Sequence, residues 1–227
     1  DKVRYRPGVV GHSPRAARFG PDCAAVIRDV QPVFCRVRVR TPQYIQVRPF
    51  SHEAVRKTME CAYSVALASG VRHPVLVPGH LGERAARGHF RLSAEQVVAT
   101  GNEWGFMIDL VSRTPPEALL ILGHPGKLAK LPLGCWDTHS SRSASPVASV
   151  RELAVRILDC PIAETTTVEG VFAALEPDQR QTLGAALAEA VQDAVGHRLN
   201  NDLPVGIVLI NLAGDILGSN GDLTPWQ

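Results

Sequence analysis

The sequence predicts an α/β fold with a mostly parallel sheet, flanking helices and glycine-rich ligand loops at the carboxyl ends of the strands. Two short apolar runs, 74–78 and 118–122, are predicted to be buried strands because Pro or Gly bounds each of them. Helical patterns separate the two runs, and a glycine cluster follows each one. A strand, a helix and a further strand in this order predict a right-handed crossover and hence a parallel sheet.

The 227 residues are divided into an irregular basic amino-terminal arm, 1–32, and a single α/β domain, 33–227. The arm is rich in Pro, Gly and Arg and shows no sustained period. Residues 33–40 alternate apolar and basic side chains, which predicts a strand with one wet face. We interpret the arginines of that face as solvent-exposed charges on an edge strand; the alternative is that they form a row that binds an anion.

The remaining elements follow from spacing and from end signals. Ser51 is predicted to cap a helix that runs to about Ser69 and carries apolar residues at three- and four-residue steps. Other helical stretches are predicted at 93–99, 102–113, 147–159, 167–175 and 178–199. The apolar stripe of the last helix indicates core packing, and residues 205–212 close the sheet before a turn at 213–215.

Composition narrows the class of protein. With 45% hydrophobic and 20% charged residues, a net charge of +2 and no basic patch interleaved with aromatics, we expect a globular protein that binds no nucleic acid. The five cysteines show no CxxC spacing, which favours reduced thiols in the cytoplasm and predicts no metal site. No apolar run approaches the ~20 residues of a membrane helix, so we expect no membrane partner. A first residue of Asp rather than Met leaves the true start of the chain open.

The segment 122–142, LGHPGKLAKLPLGCWDTHSSR, is the most informative part of the sequence. It places three glycines, two lysines and two histidines directly after a predicted buried strand. Glycine at that point lets the backbone turn sharply and approach a ligand, and open α/β sheets bind ligands at the carboxyl ends of their strands. The segment therefore predicts a small-molecule site.

The same segment carries a family resemblance. GHPGKLAKL followed by G-x-x-x-THS, at 123–140, resembles the hallmark of the CbiD family, the cobalt-precorrin C1-methyltransferases of anaerobic cobalamin biosynthesis. Four flanking segments agree in order: IQVRPFS at 45–51, VPGHLGER at 77–84, TGNEWG at 100–105 and VGIVLINLAGDILG at 205–218. His80 stands where the family usually has Asn. Because the family's amino-terminal signature has no counterpart here, we interpret the chain as a short or divergent member that resembles the family's carboxyl-terminal part.

The segments 79–83 and 123–127 share the pattern G-H-x-G followed by a charged residue. If their strands are neighbours, Glu83 and Lys127 face one crevice with opposite charges. The resemblance implies S-adenosylmethionine as co-substrate, whose carboxylate would suit Lys127 and whose ammonium and ribose would suit Glu83. The alternative is a pair of tight turns with a salt bridge across them. We predict that residues 79–82, 101–102 and 123–127 line one pocket.

Histidines are the candidates for handling a proton, because their pKa suits the task. We assign His139 and His124 as catalytic, although for His139 a structural role at the start of a helix carries equal weight. The predicted cofactor-binding residues are Gly79, His80, Gly82, Glu83, Thr100, Gly101, Asn102, Trp104, Gly123, Gly126, Lys127, Thr138 and Ser140. The predicted substrate-binding residues are Arg48 and Lys130.

Several of these residues have a structural alternative. Asn102 beside glycine is also a good cap residue, and Trp104 is also a good core anchor. Arg48 could form an ion pair with Glu53 or Glu60, and Ser140 could cap a helix.

The resemblance implies an S-adenosylmethionine-dependent C-methyltransferase acting on a tetrapyrrole-like substrate. One alternative is action on a smaller acceptor, or cyclisation of the amino acid part of S-adenosylmethionine with release of methylthioadenosine. Another is a non-catalytic binding or scaffold subunit. A homo-oligomer is compatible with each of these interpretations.

Overall fold

The computed structural model describes residues 37–40, 45–48 and 51–227. The predicted arm, 1–32, and the first half of the predicted strand at 33–40 lie outside the described residues. The second half of that strand is β1, Val37–Arg40, which pairs antiparallel with β2, Ile45–Arg48. The sequence did not predict β2 as a strand.

A five-stranded sheet forms the centre of the domain. Its members are β3 (Val75–Val77), β4 (Val97–Ala99), β5 (Leu119–Gly123), β6 (Val205–Ile210) and β7 (Ile216–Asn220). The spatial order is β4-β3-β5-β6-β7, in which the first four strands are parallel and β7 runs antiparallel to β6. The predicted α/β fold with a mostly parallel sheet is confirmed.

Seven α-helices and a short 3₁₀ turn surround this sheet in the described part of the chain. They are α1 (His52–Ala68), α2 (His80–His89), α3 (Trp104–Arg113), α4 (Pro125–Leu128), α5 (Val147–Leu158), α6 (Val168–Ala173), α7 (Pro177–Arg198) and the turn Thr224–Trp226. No helix among the described residues is long and apolar enough to cross a membrane.

Local signals in the sequence account for the longer helices. The Ser51 hydroxyl accepts the Ala54 N–H at 3.2 Å and caps α1, as predicted. Helix α7 begins with a capping box formed by Glu176 and Gln179. Its apolar stripe is buried, which confirms the predicted core role of Leu183, Leu187, Val191 and Val195.

The core lies on both faces of the sheet because every position of β5 and β6 is buried. Along β6, Ile207 and Leu209 belong to one hydrophobic cluster, and Val208 and Ile210 belong to the other. This division is the two-residue period of a strand covered by helices on both sides.

One predicted helix is absent, and one predicted strand is shorter than expected. The stretch 93–99 is not helical: it forms a turn and then β4, where Val97 pairs with Val75 of β3. β-branched Val97 and Val98 suit a strand, and the pairing supplies hydrogen bonds that an isolated turn of helix lacks. The predicted closing strand, 205–212, ends at Ile210, and β7 follows as a separate strand.

The two predicted glycine loops are helix starts. The first runs directly into α2, whose buried Ala85 and Ala86 pack in the core. The second leads into α4, where Pro125 occupies the first helical position, a place that suits its fixed φ. Amphipathic packing against the sheet therefore prevails over the glycine content of these segments.

Candidate functional site

Three predicted site segments lie at the carboxyl ends of adjacent strands. Strand β3 has β4 on one side and β5 on the other, and all three are parallel. Residues 79–82, 100–102 and 123–127 follow these strands directly, so they share one edge of the sheet. Thr100 ties two of the segments together, because its N–H and its hydroxyl donate to the Val77 carbonyl at 2.8 and 3.1 Å.

Glycine is required at the end of β5. A Cβ on Gly123 would lie 2.6 Å from Pro78 Cγ, a separation that real contacts do not allow. Gly101 adopts the left-handed conformation, with φ of 57°. These two glycines let the ends of β3, β4 and β5 pack closely.

Asn102, Lys127 and Thr138 meet at this edge. The Lys127 ammonium donates to Asn102 Oδ1 at 3.0 Å, and the Thr138 hydroxyl donates to the same oxygen at 3.3 Å. The Thr138 N–H also donates to the Asn102 carbonyl at 3.1 Å. Burial, together with the positive charge of Lys130, lowers the pKa of Lys127 below its ordinary value of 10.5.

Lys130 is buried, with 5% exposure, so its predicted direct contact with a macrocyclic substrate needs correction. Its ammonium donates to the Thr138 carbonyl at 3.1 Å and to the Ser143 hydroxyl at 2.8 Å. It therefore supports the 138–143 segment from inside. Among the described residues, neither Lys127 nor Lys130 forms an ion pair with a carboxylate.

His124 caps helix α4. Its Nδ1 accepts the Gly126 N–H at 3.0 Å, and its Nε2 lies 2.8 Å from a carboxylate oxygen of Glu169. Because Nδ1 accepts, this hydrogen-bond network assigns the proton to Nε2, which donates to Glu169. Both ring nitrogens are engaged, so the geometry favours a capping role over the predicted role as a base.

His139 is exposed in a tight turn. Its Nδ1 lies 2.8 Å from the Ser141 hydroxyl and accepts the Ser141 N–H at 3.2 Å, which assigns the proton of the neutral ring to Nε2. The expected helix start is absent here in the described chain: residues 140–142 form a turn, and α5 begins only at Val147. Ser140 is exposed in that turn rather than capping a helix.

Three further predicted residues make no hydrogen bond to the ammonium groups of Lys127 and Lys130 in the described structure. Glu83 pairs with Arg87 of its own helix at 3.3 Å, and the described structure shows no salt bridge between Glu83 and Lys127. His80 is exposed at the start of α2. Trp104 is fully buried, which agrees with the core-anchor alternative and leaves no ring face for adenine. The side chain of Arg48 lies outside what the structure describes.

Sequence reasoning missed Glu103. This residue is 6% exposed and lies between two side chains of α1, with His52 Nδ1 at 2.6 Å and Arg56 Nε at 2.8 Å. Burial raises the pKa of Glu103, but hydrogen bonds from Arg56 and His52 outweigh it, so the pKa lies below the ordinary value. The only sequence signal was a carboxylate next to Asn102 at the start of an apolar helix.

The 137–143 segment contacts the group formed by Glu103, His52 and Arg56. Arg142 Nη1 lies 2.5 Å from His52 Nε2, and Arg142 Nε lies 3.0 Å from Asp137. Asp137 and Glu103 form a β-bridge. The described residues contain no group of three potential metal ligands.

Comparison with known proteins agrees with the motifs. The family model for the CbiD carboxyl-terminal domain matches residues 137–221. A cobalt-precorrin-5B C(1)-methyltransferase of Syntrophotalea carbinolica is 76% identical over 182 residues, which cover 80% of this chain and 52% of that protein. The Moorella thermoacetica protein of the same name is 33% identical over 187 residues, covering 76% of this chain and 49% of that protein. A Methanocaldococcus jannaschii protein of that name is 29% identical over 181 residues, with shares of 76% and 49%.

The chain thus spans about half the length of the curated relatives that it matches. No solved structure matches it. The family model covers the turn that carries Thr138 and His139, and these relatives share one name. Residues 137–221 match the CbiD carboxyl-terminal domain, and 76% identity to a cobalt-precorrin-5B C(1)-methyltransferase over 80% of this chain is consistent with a CbiD member.

Proposed function

We propose that the chain acts in an S-adenosylmethionine-dependent C-methyltransferase that methylates a cobalt-precorrin during cobalamin biosynthesis. The names of the relatives support this proposal, since each is called a cobalt-precorrin-5B C(1)-methyltransferase. A methyltransferase of this kind takes its methyl group from the sulfonium of S-adenosylmethionine.

The observation that carries the proposal is the pair of lysine ammonium groups without a carboxylate partner in the described structure. Lys127 is held by the neutral amide of Asn102, and Lys130 by a carbonyl and a hydroxyl, so neither charge is compensated. Taking charges out of water is costly unless an opposite charge accompanies them. The carboxylate of the methionine part of S-adenosylmethionine would supply that charge, and Lys127 is the less buried of the two donors.

Other residues at the same edge are proposed to shape the rest of this site. Residues 79–82 and 100–101 follow β3 and β4 at the sheet edge that also carries Lys127, and we assign the nucleoside to this edge because open α/β sheets bind ligands there. His124 keeps the start of α4 in place and thereby the backbone that carries Lys127. These assignments make His124 and Thr138 positioning residues.

Methyl transfer from a sulfonium depends mainly on alignment and electrostatic preorganisation. The methyl–sulfur bond breaks as the new carbon–carbon bond forms, so the nucleophilic carbon, the methyl group and the sulfur must lie in line. His139 carries a proton on Nε2 in the assigned tautomer, and we assign it to hold the acceptor by a donated hydrogen bond. The acceptor is a tetrapyrrole-like molecule with carboxylates, to which exposed Arg56 and Arg142 are suited.

Identification of the nucleoside product tests the proposal. The protein is incubated with S-adenosylmethionine, with and without cobalt-precorrin-5B, and the nucleosides are separated by chromatography. S-adenosylhomocysteine that appears only with the acceptor is the expected result. Methylthioadenosine without an acceptor would instead indicate cyclisation of the amino acid part, and absence of S-adenosylmethionine binding in calorimetry would indicate a scaffold role.

A further inference from the structure

The buried carboxylate of Glu103 and the ring of His52 form a dyad at the edge of the proposed site. Their atoms Oε1 and Nδ1 are 2.6 Å apart, a short distance that fits a hydrogen bond to an ionised carboxylate. Glu103 is almost fully buried, whereas the His52 side chain is 55% exposed. Glu103 is therefore the buried member of the dyad, and the His52 ring is the member that solvent or a ligand can reach.

The contacts of the ring assign its tautomer. Glu103, an ionised acceptor, requires a proton on Nδ1, and Arg142, which can only donate, requires a lone pair on Nε2. The outer nitrogen is therefore the basic one. A carboxylate that orients an imidazole through Nδ1 and leaves Nε2 to accept a proton is the arrangement found in general-base catalysis.

The dyad and the lysine site are joined at the bridge between Glu103 and Asp137. Of the two bridge residues, Glu103 contacts His52 and Asp137 contacts Arg142. Of their chain neighbours, Asn102 accepts the hydrogen bond of Lys127, and Thr138 donates to the same Asn102 oxygen. Asn102, which holds the proposed carboxylate anchor, is thus the chain neighbour of Glu103, which holds the imidazole.

We propose that His52, oriented by Glu103, is the general base that accepts the proton lost by the acceptor during methylation. The proposal rests on the proposed function. The sulfur–methyl bond breaks with its electron pair left on sulfur, and the acceptor forms a carbon–carbon bond. The acceptor loses one proton, from an N–H or C–H conjugated with the nucleophilic carbon, to His52 Nε2. The products are the methylated acceptor, S-adenosylhomocysteine and an imidazolium whose charge Glu103 balances.

The other two histidines of the site are less suited to this step. His124 has both nitrogens engaged, and the acceptor nitrogen of His139 already takes the Ser141 N–H from the backbone. Among the described residues, the hydrogen-bond partner of His52 Nε2 is Arg142, a side chain that also pairs with Asp137. An acceptor carboxylate that pairs with the Arg142 guanidinium would uncover this nitrogen.

The test compares His52→Ala, Glu103→Gln and a control, His197→Gln, which changes an exposed histidine on α7. Rates of S-adenosylhomocysteine formation are measured at saturation, together with S-adenosylmethionine affinity and melting temperature. We expect His52→Ala to lose roughly 100-fold or more in rate, the range for general acid–base catalysis, with affinity within about twofold. Glu103→Gln should show a smaller loss and an acid limb of the pH–rate profile moved to lower pH, because a negative charge beside the imidazolium is gone.

Chemical rescue separates a base from a structural side chain. Imidazoles of increasing basicity are added to His52→Ala, and the rescued rate should rise with the basicity of the added imidazole. The charged groups that face the ring are Glu103, Arg142 and, through Arg142, Asp137, with Arg56 on the same helix. Their charges are unchanged by the rescue, so the slope reports on proton transfer.

Three results would overturn the assignment. If His52→Ala keeps the wild-type rate, or if the rescued rate does not depend on the basicity of the added imidazole, His52 is not the base. Either result leaves the proposed function unchanged. A wild-type protein that forms no S-adenosylhomocysteine from bound substrates overturns the proposed function, and the assignment of His52 falls with it.

Discussion

Replacement of Lys127 by Ala tests the anion site at its centre. The substitution removes an ammonium that contacts only the amide of Asn102 in the described structure. A hydrogen bond to a charged group contributes about 1.5–3 kcal/mol, which corresponds to a loss of roughly 10- to 160-fold in affinity for a ligand carboxylate. We expect the rate at saturation to fall less than the affinity, since Lys127 would hold the ligand in the ground state and in the transition state alike.

Calorimetry with two ligands makes this measurement specific. S-adenosylmethionine should bind the variant more weakly, whereas decarboxylated S-adenosylmethionine, which lacks the carboxylate, should bind both proteins equally. Lys57→Ala is the matched control, because Lys57 is exposed and pairs with Glu53 one helical turn away at 2.9 Å. An equal loss for both ligands would show that Lys127 supports the local structure and does not bind a carboxylate.

Four further outcomes follow from the geometry. Because burial lowers the pKa of Lys127 and only its charged form attracts a carboxylate, affinity for S-adenosylmethionine should fall as pH rises through that lowered pKa; comparison with Lys127→Ala in calorimetry removes the ligand's own titration. His139→Ala should weaken binding of the acceptor by roughly 2- to 12-fold, the loss of one hydrogen bond, with S-adenosylmethionine affinity near normal; an unchanged KM for the acceptor in kinetic assays would contradict its role. His124→Ala should reduce the free energy of unfolding by about 1 kcal/mol, because α4 loses its cap, and denaturant titration measures this. Gly123→Ala should destabilise the fold by about 1–3 kcal/mol in the same titration, since the new methyl would meet Pro78.

The central strands could be predicted from sequence because they are continuous apolar runs. All of β5 is buried, and its five residues stand between proline and glycine signals. Strand β4 has only three residues, and its assignment depends on pairing with β3, about twenty residues earlier in the chain. A short stretch of sequence carries no information about pairing with a distant strand, which explains the wrong helix prediction at 93–99.

The polar contacts of the site were harder to predict for the same reason. Glu103 is 51 residues from His52 and 47 from Arg56, so nothing in its neighbourhood indicated a buried carboxylate cluster. By contrast, Asn102 and Lys127 are also distant in sequence, yet the rule for carboxyl ends of parallel strands placed them together. The burial of Lys130 depends on how the 138–143 segment folds back over it, which spacing alone does not specify.

Transfer of a labelled methyl group tests the central claim most directly. The protein is incubated with cobalt-precorrin-5B and S-adenosylmethionine that carries ¹³C in its methyl group, and the products are followed by NMR spectroscopy. The account predicts that the label moves to a carbon of the macrocycle while unlabelled S-adenosylhomocysteine accumulates in equal amount. Label that appears in methylthioadenosine, or that stays on S-adenosylmethionine when both substrates are bound, would contradict it.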